Sequence, residues 1–134
     1  MTHKIAIKWL KQALHDLEIA EKNITIGGYD VAAFLAHQAI EKLFKSLIAL
    51  QGKKIPKTHY IDELAKDLKL NKDVVDSLAD LVIDYTFSRY PDVAEHVPYE
   101  EYTEEIAQEK VKIAKEIFEF LKKSYISLLE GEND

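Results

Sequence analysis

Cysteine is absent from the 134 residues, methionine and tryptophan occur once each, and there are only four glycines and three prolines. Without thiols there are no disulfides, no thiolate metal sites and no cysteine nucleophile. An average chain of this length carries roughly sixteen glycines and prolines together. The shortage of turn formers therefore speaks against the many short strands of an all-β fold. Long apolar runs are missing too, and none approaches the roughly 18 residues of a membrane span. The opening MTHKIAIKWLKQ interleaves lysines with apolar residues, without the continuous apolar stretch and small-residue cleavage site of a secretion signal. What is present, 47% hydrophobic and 31% charged residues, suits one folded core. The expectation is a cytoplasmic protein with no membrane association.

A net charge of −6 argues against a grip on nucleic acid over the whole surface, but the charge is unevenly spread. Residues 1–60 hold nine lysines and five acids, while residues 61–134 hold nine basic residues and nineteen acids. Either the two halves pack as helices with complementary flanks, or the basic half carries a local anion site.

Apolar residues recur at helical spacing through most of the chain. Trp9, Leu10, Ala13, Leu14, Leu17, Ala20 and Ile24 form one stripe between about Lys4 and Ile24, and Gly27-Gly28 ends it. From Tyr29 to about Gln51 the chain is apolar around most of its circumference, which predicts a central helix covered on several sides. Gly52 to Thr58, GKKIPKT, predicts a basic loop. Ile61, Leu64, Ala65 and Leu68 predict a short helix, and Asn71 is placed to cap another through Val74, Leu78, Leu81 and Tyr85. Pro91 and Pro98 bracket a stretch in which helix is hard to sustain. Thr103 opens a last helix of about 27 residues, roughly 40 Å, whose stripe includes Ile106, Ile113, Ala114, Ile117, Leu121, Tyr125 and Leu128. The prediction is all-α: one domain over 1–134, an up-and-down bundle of four main helices and one short one, with a frayed tail over 130–134.

Chemistry concentrates in Ser88-Arg89-Tyr90-Pro91-Asp92 and the following His96. A guanidinium offers a planar fork of donors for a phosphate, and an imidazole passes protons near neutral pH. Together they suit phosphodiester chemistry in which a ribose 2′-hydroxyl attacks its own phosphate, a reaction that needs no metal. The structural alternative pairs Arg89 with Asp84, Asp80 or Asp92 and leaves His96 solvated. On the central helix His37, Glu41 and Lys45 form a polar line at one-turn spacing, either facing a cleft near Arg89 or forming an exposed edge of charge pairs. His59, just before the short helix, reads as a helix-start cap in preference to a catalytic group. Lys53, Lys54 and Lys57 are either phosphate contacts or solubilising charge. Tyr85, Tyr90, Tyr99 and Tyr102 cluster around the arginine, for base stacking, a subunit contact or packing. The five histidines make neither a Glu-x-x-His repeat nor a His-Glu-x-x-His site, so neither metal nor other cofactor is expected.

The order of these features resembles the HEPN domain family over about residues 4–128. The resemblance rests on Trp9, Asp16-Leu17, the run FLAHQAIEKLFKSLIALQGK and His59 opening a short helix. It continues through Tyr85-x-x-Ser88-Arg89-Tyr90-Pro91-Asp92 to a long closing helix with Tyr102 and Ala107. It implies a four-to-five-helix bundle that forms a homodimer, binds nucleotide or RNA and is often encoded beside a minimal nucleotidyltransferase in prokaryotic toxin and antitoxin pairs. Active members are metal-independent RNases in which an arginine and a following histidine from each subunit meet across the dimer cleft. Here six residues separate Arg89 from His96, and Tyr90 stands where active members usually have a polar residue. The resemblance makes Arg89 and His96 the catalytic candidates, with Arg89, Tyr90, His37, Glu41 and Lys45 toward the ligand. The competing reading, from a different class, is a non-catalytic helical interaction module whose Arg89 segment organises a dimer interface.

Overall fold

The computed structural model describes residues 2–92 and 97–132, and all regular structure among them is helical. Helix α1 spans Thr2–Thr25 and α2 spans Tyr29–Leu50, joined by the expected glycine turn. Gly27 takes φ +80°, a left-handed conformation that a β-carbon disfavours. The Gly28 N–H then donates to the Asn23 carbonyl at 2.8 Å. Alanines make the pairing close: Ala6, Ala13 and Ala20 of α1 and Ala32, Ala36 and Ala39 of α2 are fully buried. At the far end the Ser46 hydroxyl donates to the Ala6 carbonyl at 2.8 Å and locks the register of the two helices.

The closing helix, α8, spans Glu104–Glu132 and packs on both α1 and α2. Thr103 caps it, accepting from the Ile106 N–H at 3.2 Å. The helix runs further than the sequence suggested, through Glu132. Its core stripe is Ala107, Val111, Ala114, Ile117, Phe118, Leu121, Tyr125 and Leu128. Ile106, assigned to that stripe by spacing, is exposed instead, and the neighbouring Ala107 takes the core position.

Between these long helices the chain is built from short pieces: α3 Ile61–Asp67, α4 Lys72–Ser77, α5 Ala79–Val82, α6 Asp84–Phe87 and α7 Pro98–Glu101. Asn71 caps α4 as expected, accepting from the Val74 N–H at 3.0 Å. The single helix expected after it is three segments. Leu78 and Ile83 keep helical torsions, but the ladder tightens there to bonds between residues three apart, from Leu78 to Val75, Leu81 to Leu78 and Thr86 to Ile83. The path stays helical, so Val74, Leu78 and Leu81 still reach the core. Pro98 opens α7, where its missing N–H costs no hydrogen bond. No helix among the described residues is long and apolar enough to cross a membrane.

Candidate functional site

Tightening at Ile83 delivers Tyr85 and Arg89 one turn apart at the end of α6. The backbone keeps turning beyond it, with Arg89 N–H and Tyr90 N–H both donating to the Thr86 carbonyl, at 3.2 and 3.0 Å. The Ser88 hydroxyl donates to the Asp84 carbonyl. This holds the Arg89 guanidinium over three rings, with Cζ 5.0 Å from the centre of Tyr85, 5.2 Å from Phe34 of α2 and 5.5 Å from Tyr90. Cation–π attraction orients the exposed guanidinium while its donors remain available. Among the described residues no carboxylate lies in ion-pair range of Arg89. Asp84 is engaged by Tyr102 and Lys110, and Lys110 also donates to the Asp80 carbonyl.

The polar line of α2 is an interior feature. Glu41 is 3% exposed, and its carboxylate accepts from Lys45 Nζ at 3.0 Å, from His59 Nδ1 at 3.1 and 3.2 Å and from Gln38 Nε2 at 3.4 Å. Lys45 is itself buried, with Nζ 5.5 Å from the Trp9 ring centre. His37 is fully buried, 5.5 Å ring to ring from Tyr85, and its Nε2 finds no hydrogen-bond partner among the described residues. Burial pushes the His37 pKa down to about 4, against the pull of the Glu41 carboxylate, so the ring is neutral at pH 7. His37 therefore lies behind the Tyr85 ring that carries Arg89, while Glu41 and Lys45 form an interior ion pair, not an exposed edge.

His59 departs from the expected capping role. No side chain among the described residues caps the N-terminus of α3 at Tyr60; Thr58 closes the turn before it, its hydroxyl accepting from the Tyr60 N–H at 3.1 Å and donating to Glu63 at 3.3 Å. His59 lies instead flat on Tyr85, ring centres 4.4 Å apart and planes 16° apart, with Nδ1 on Glu41. The signal in the sequence is a glutamate on an apolar helix, since a buried carboxylate requires donors. Tyr85 thus joins Phe34, His37, His59 and Arg89 in one cluster. A cavity of about 260 Å³ opens beside it, with Lys57, Tyr60 and Thr86 in its wall. A larger groove of about 540 Å³ runs between α1 and α8, lined by Glu21, Lys112 and Lys115 among others, and none of these cluster residues borders it. His96 lies outside the described residues.

The turn carrying Arg89 is closed at its base by a buried clasp. The Tyr102 hydroxyl donates to Asp84 Oδ1 at 2.5 Å, and Lys110 Nζ lies 3.2 Å from Oδ2. Burial raises the Asp84 pKa, with Tyr102 and Lys110 pulling it the other way, and burial beside that carboxyl raises the Tyr102 pKa. Of the four clustered tyrosines Tyr85 and the exposed Tyr90 carry the arginine, Tyr99 faces solvent and Tyr102 closes the clasp.

A family profile described as HEPN domain matches residues 6–124. The crystal structure of TT1696 from Thermus thermophilus is similar at 31% identity and a TM-score of 0.82, over 89% of this chain and 97% of that one. That of ST0689, described as an archaeal HEPN homologue, is similar at 38% identity and a TM-score of 0.73, over 88% and 95%. No curated protein matches the chain significantly.

Proposed function

The chain belongs to the HEPN domain family, and from that premise we propose that it binds single-stranded RNA or nucleotide phosphate at Arg89 and cleaves RNA without a metal. The carrying observation is a guanidinium held on three aromatic rings with no carboxylate partner among the described residues. A structural clamp would bury that charge against an acid, whereas a ligand site leaves its fork of donors open. Arg89 holds the scissile phosphate and stabilises its developing charge, Tyr90 offers a ring for stacking, and Lys57 supplies a second cation at the cavity. His96 handles a proton at the 2′-hydroxyl or at the leaving oxygen, and cleavage leaves a 2′,3′-cyclic phosphate. The working unit is a homodimer, and a nucleotidyltransferase-type protein is its partner. The exposed Tyr90, Val97 and Tyr99 flanking the arginine segment offer apolar area for such a seam.

The test is cleavage of a labelled oligoribonucleotide by chain freed of contaminating RNases and of any partner, with EDTA present. Wild type is expected to yield 2′,3′-cyclic ends while Arg89→Ala and His96→Ala do not; equal cutting by all three would refute the reading. Sedimentation supplies the oligomeric state. If the exposed seam serves only to pair helices, dimerisation persists while RNA binding is absent at any salt concentration.

A further inference from the structure

The environment of His59 is more specific than packing requires. Glu41 is buried in an ion pair with Lys45 at 3.0 Å, and a carboxylate so paired only accepts hydrogen bonds, so the His59 nitrogen that faces it at 3.1 Å, Nδ1, is the one that carries a proton. That leaves Nε2 as the basic nitrogen of a side chain that is 51% exposed and forms part of the wall of the 260 Å³ cavity. A carboxylate on one imidazole nitrogen fixes the tautomer and stabilises the cation formed when the other nitrogen accepts a proton. The ring cannot turn away without leaving both its hydrogen bond and its flat contact with Tyr85. That same Tyr85 ring carries the Arg89 guanidinium, so an imidazole base and a phosphate-binding cation both stand within 5.0 Å of one ring centre. A ribonucleotide strand passing that ring carries both matching groups, a phosphate and a 2′-hydroxyl.

We propose that His59 is the proton acceptor of the site and Glu41 its positioning residue, an inference that rests on the RNA-cleavage reading above. The 2′-hydroxyl of the nucleotide held on Arg89 gives its proton to Nε2, and O2′ attacks phosphorus. The P–O2′ bond forms as the P–O5′ bond breaks, the electron pair leaving with O5′, which takes a proton from the acid of the reading above, His96, itself reprotonated by water. The His59 imidazolium, held meanwhile against Glu41, returns its proton to water, and no oxidant, reductant or metal is consumed.

Steady-state cleavage of a single-stranded oligoribonucleotide tests this. His59→Gly is expected to lower kcat roughly 100-fold or more with KM within about twofold, and added imidazole is expected to restore kcat in proportion to its concentration. Glu41→Gln is expected to lower kcat roughly tenfold, the scale of losing an orienting partner, with no rescue by imidazole. Should the buried Glu41 variant fail to fold, the half-exposed His59 variant and its rescue decide alone. If Arg89→Ala abolishes cleavage while His59→Gly stays within about twofold of wild type, or falls without imidazole rescue, the acceptor role is overturned and the parent reading stands. If Arg89→Ala cuts like wild type, or wild type cuts nothing, the parent reading falls and takes this inference with it.

Discussion

Glu41 and His37 occupy one face of α2 a single turn apart, both buried, yet their hydrogen-bond surroundings differ. The Glu41 carboxylate is satisfied in the interior because Lys45, His59 and Gln38 converge on it. Removing the cation leaves an uncompensated buried carboxylate, so Lys45→Met is expected to cost about 3 kcal/mol in urea unfolding at neutral pH. Replacing Glu41 and Lys45 by methionine together is expected to cost much less, and a double-mutant cycle measures that coupling. His37 has no such set of partners and stays neutral. Its folded pKa of about 4 lies below the ordinary value of 6.5, so as pH falls the unfolded chain takes the proton first. Stability from this group is complete above about pH 6.5 and is expected to fall by about 3 kcal/mol by pH 4. Unfolding of wild type and His37→Met across that range checks it, because the variant should lose that part of the slope. The polar line itself is visible in the sequence as His37-Glu41-Lys45. Its inward direction is not, since the groups that pack on it, Trp9, His59 and Tyr85, lie far away along the chain.

Elements differ in how openly their sequences declare them. Helices α1, α2 and α8 carry apolar residues at every turn, and their core faces follow that spacing, except at Ile106 of α8, where Ala107 takes the core position. The α4–α6 region has the same period, yet its ladder tightens at Leu78 and Ile83 while the torsions remain helical. Periodicity reports which residues face inward and is blind to whether a bond spans three residues or four. The consequence for the site is large, since the second tightening sets where Tyr85 and Arg89 point. What fixes that turn against the bundle is the Asp84–Tyr102 clasp across the base of the proline-bracketed stretch. Tyr102→Phe removes the short bond to a buried carboxyl and is expected to cost about 1–3 kcal/mol. The loss should be local first. Hydrogen exchange of the Arg89 and Tyr90 amides, both bonded to Thr86, is expected to accelerate more than that of α1 and α2 amides. Equal acceleration throughout would mean that the clasp stabilises the whole bundle and does not specifically hold the arginine turn.

At the scale of the whole molecule, charge limits how a polyanion can be held. The chain carries −6 overall, and ion pairs such as Lys42–Asp16 and Lys115–Glu21 spend part of its cationic surface internally. A broad electrostatic face for duplex nucleic acid is therefore not available, and affinity must come from a few placed cations and from stacking on rings. Arg89 and Lys57 are two such cations beside one cavity wall and its Tyr85 ring. For single strands each phosphate contact contributes roughly −0.7 to the slope of log K against log salt. One chain acting alone should give a slope of about −1.4, a roughly sevenfold loss of affinity between 50 and 200 mM salt. A strand spanning the sites of two paired copies should double the slope to about −2.8, a loss of roughly fiftyfold. Fluorescence anisotropy of a labelled oligoribonucleotide over that salt range, on protein of known oligomeric state, separates these cases. Arg89→Ala should make the slope shallower by about 0.7 per chain engaged. A slope much steeper than about −2.8 would require a basic surface that this composition cannot supply, and it would move the ligand away from the arginine turn.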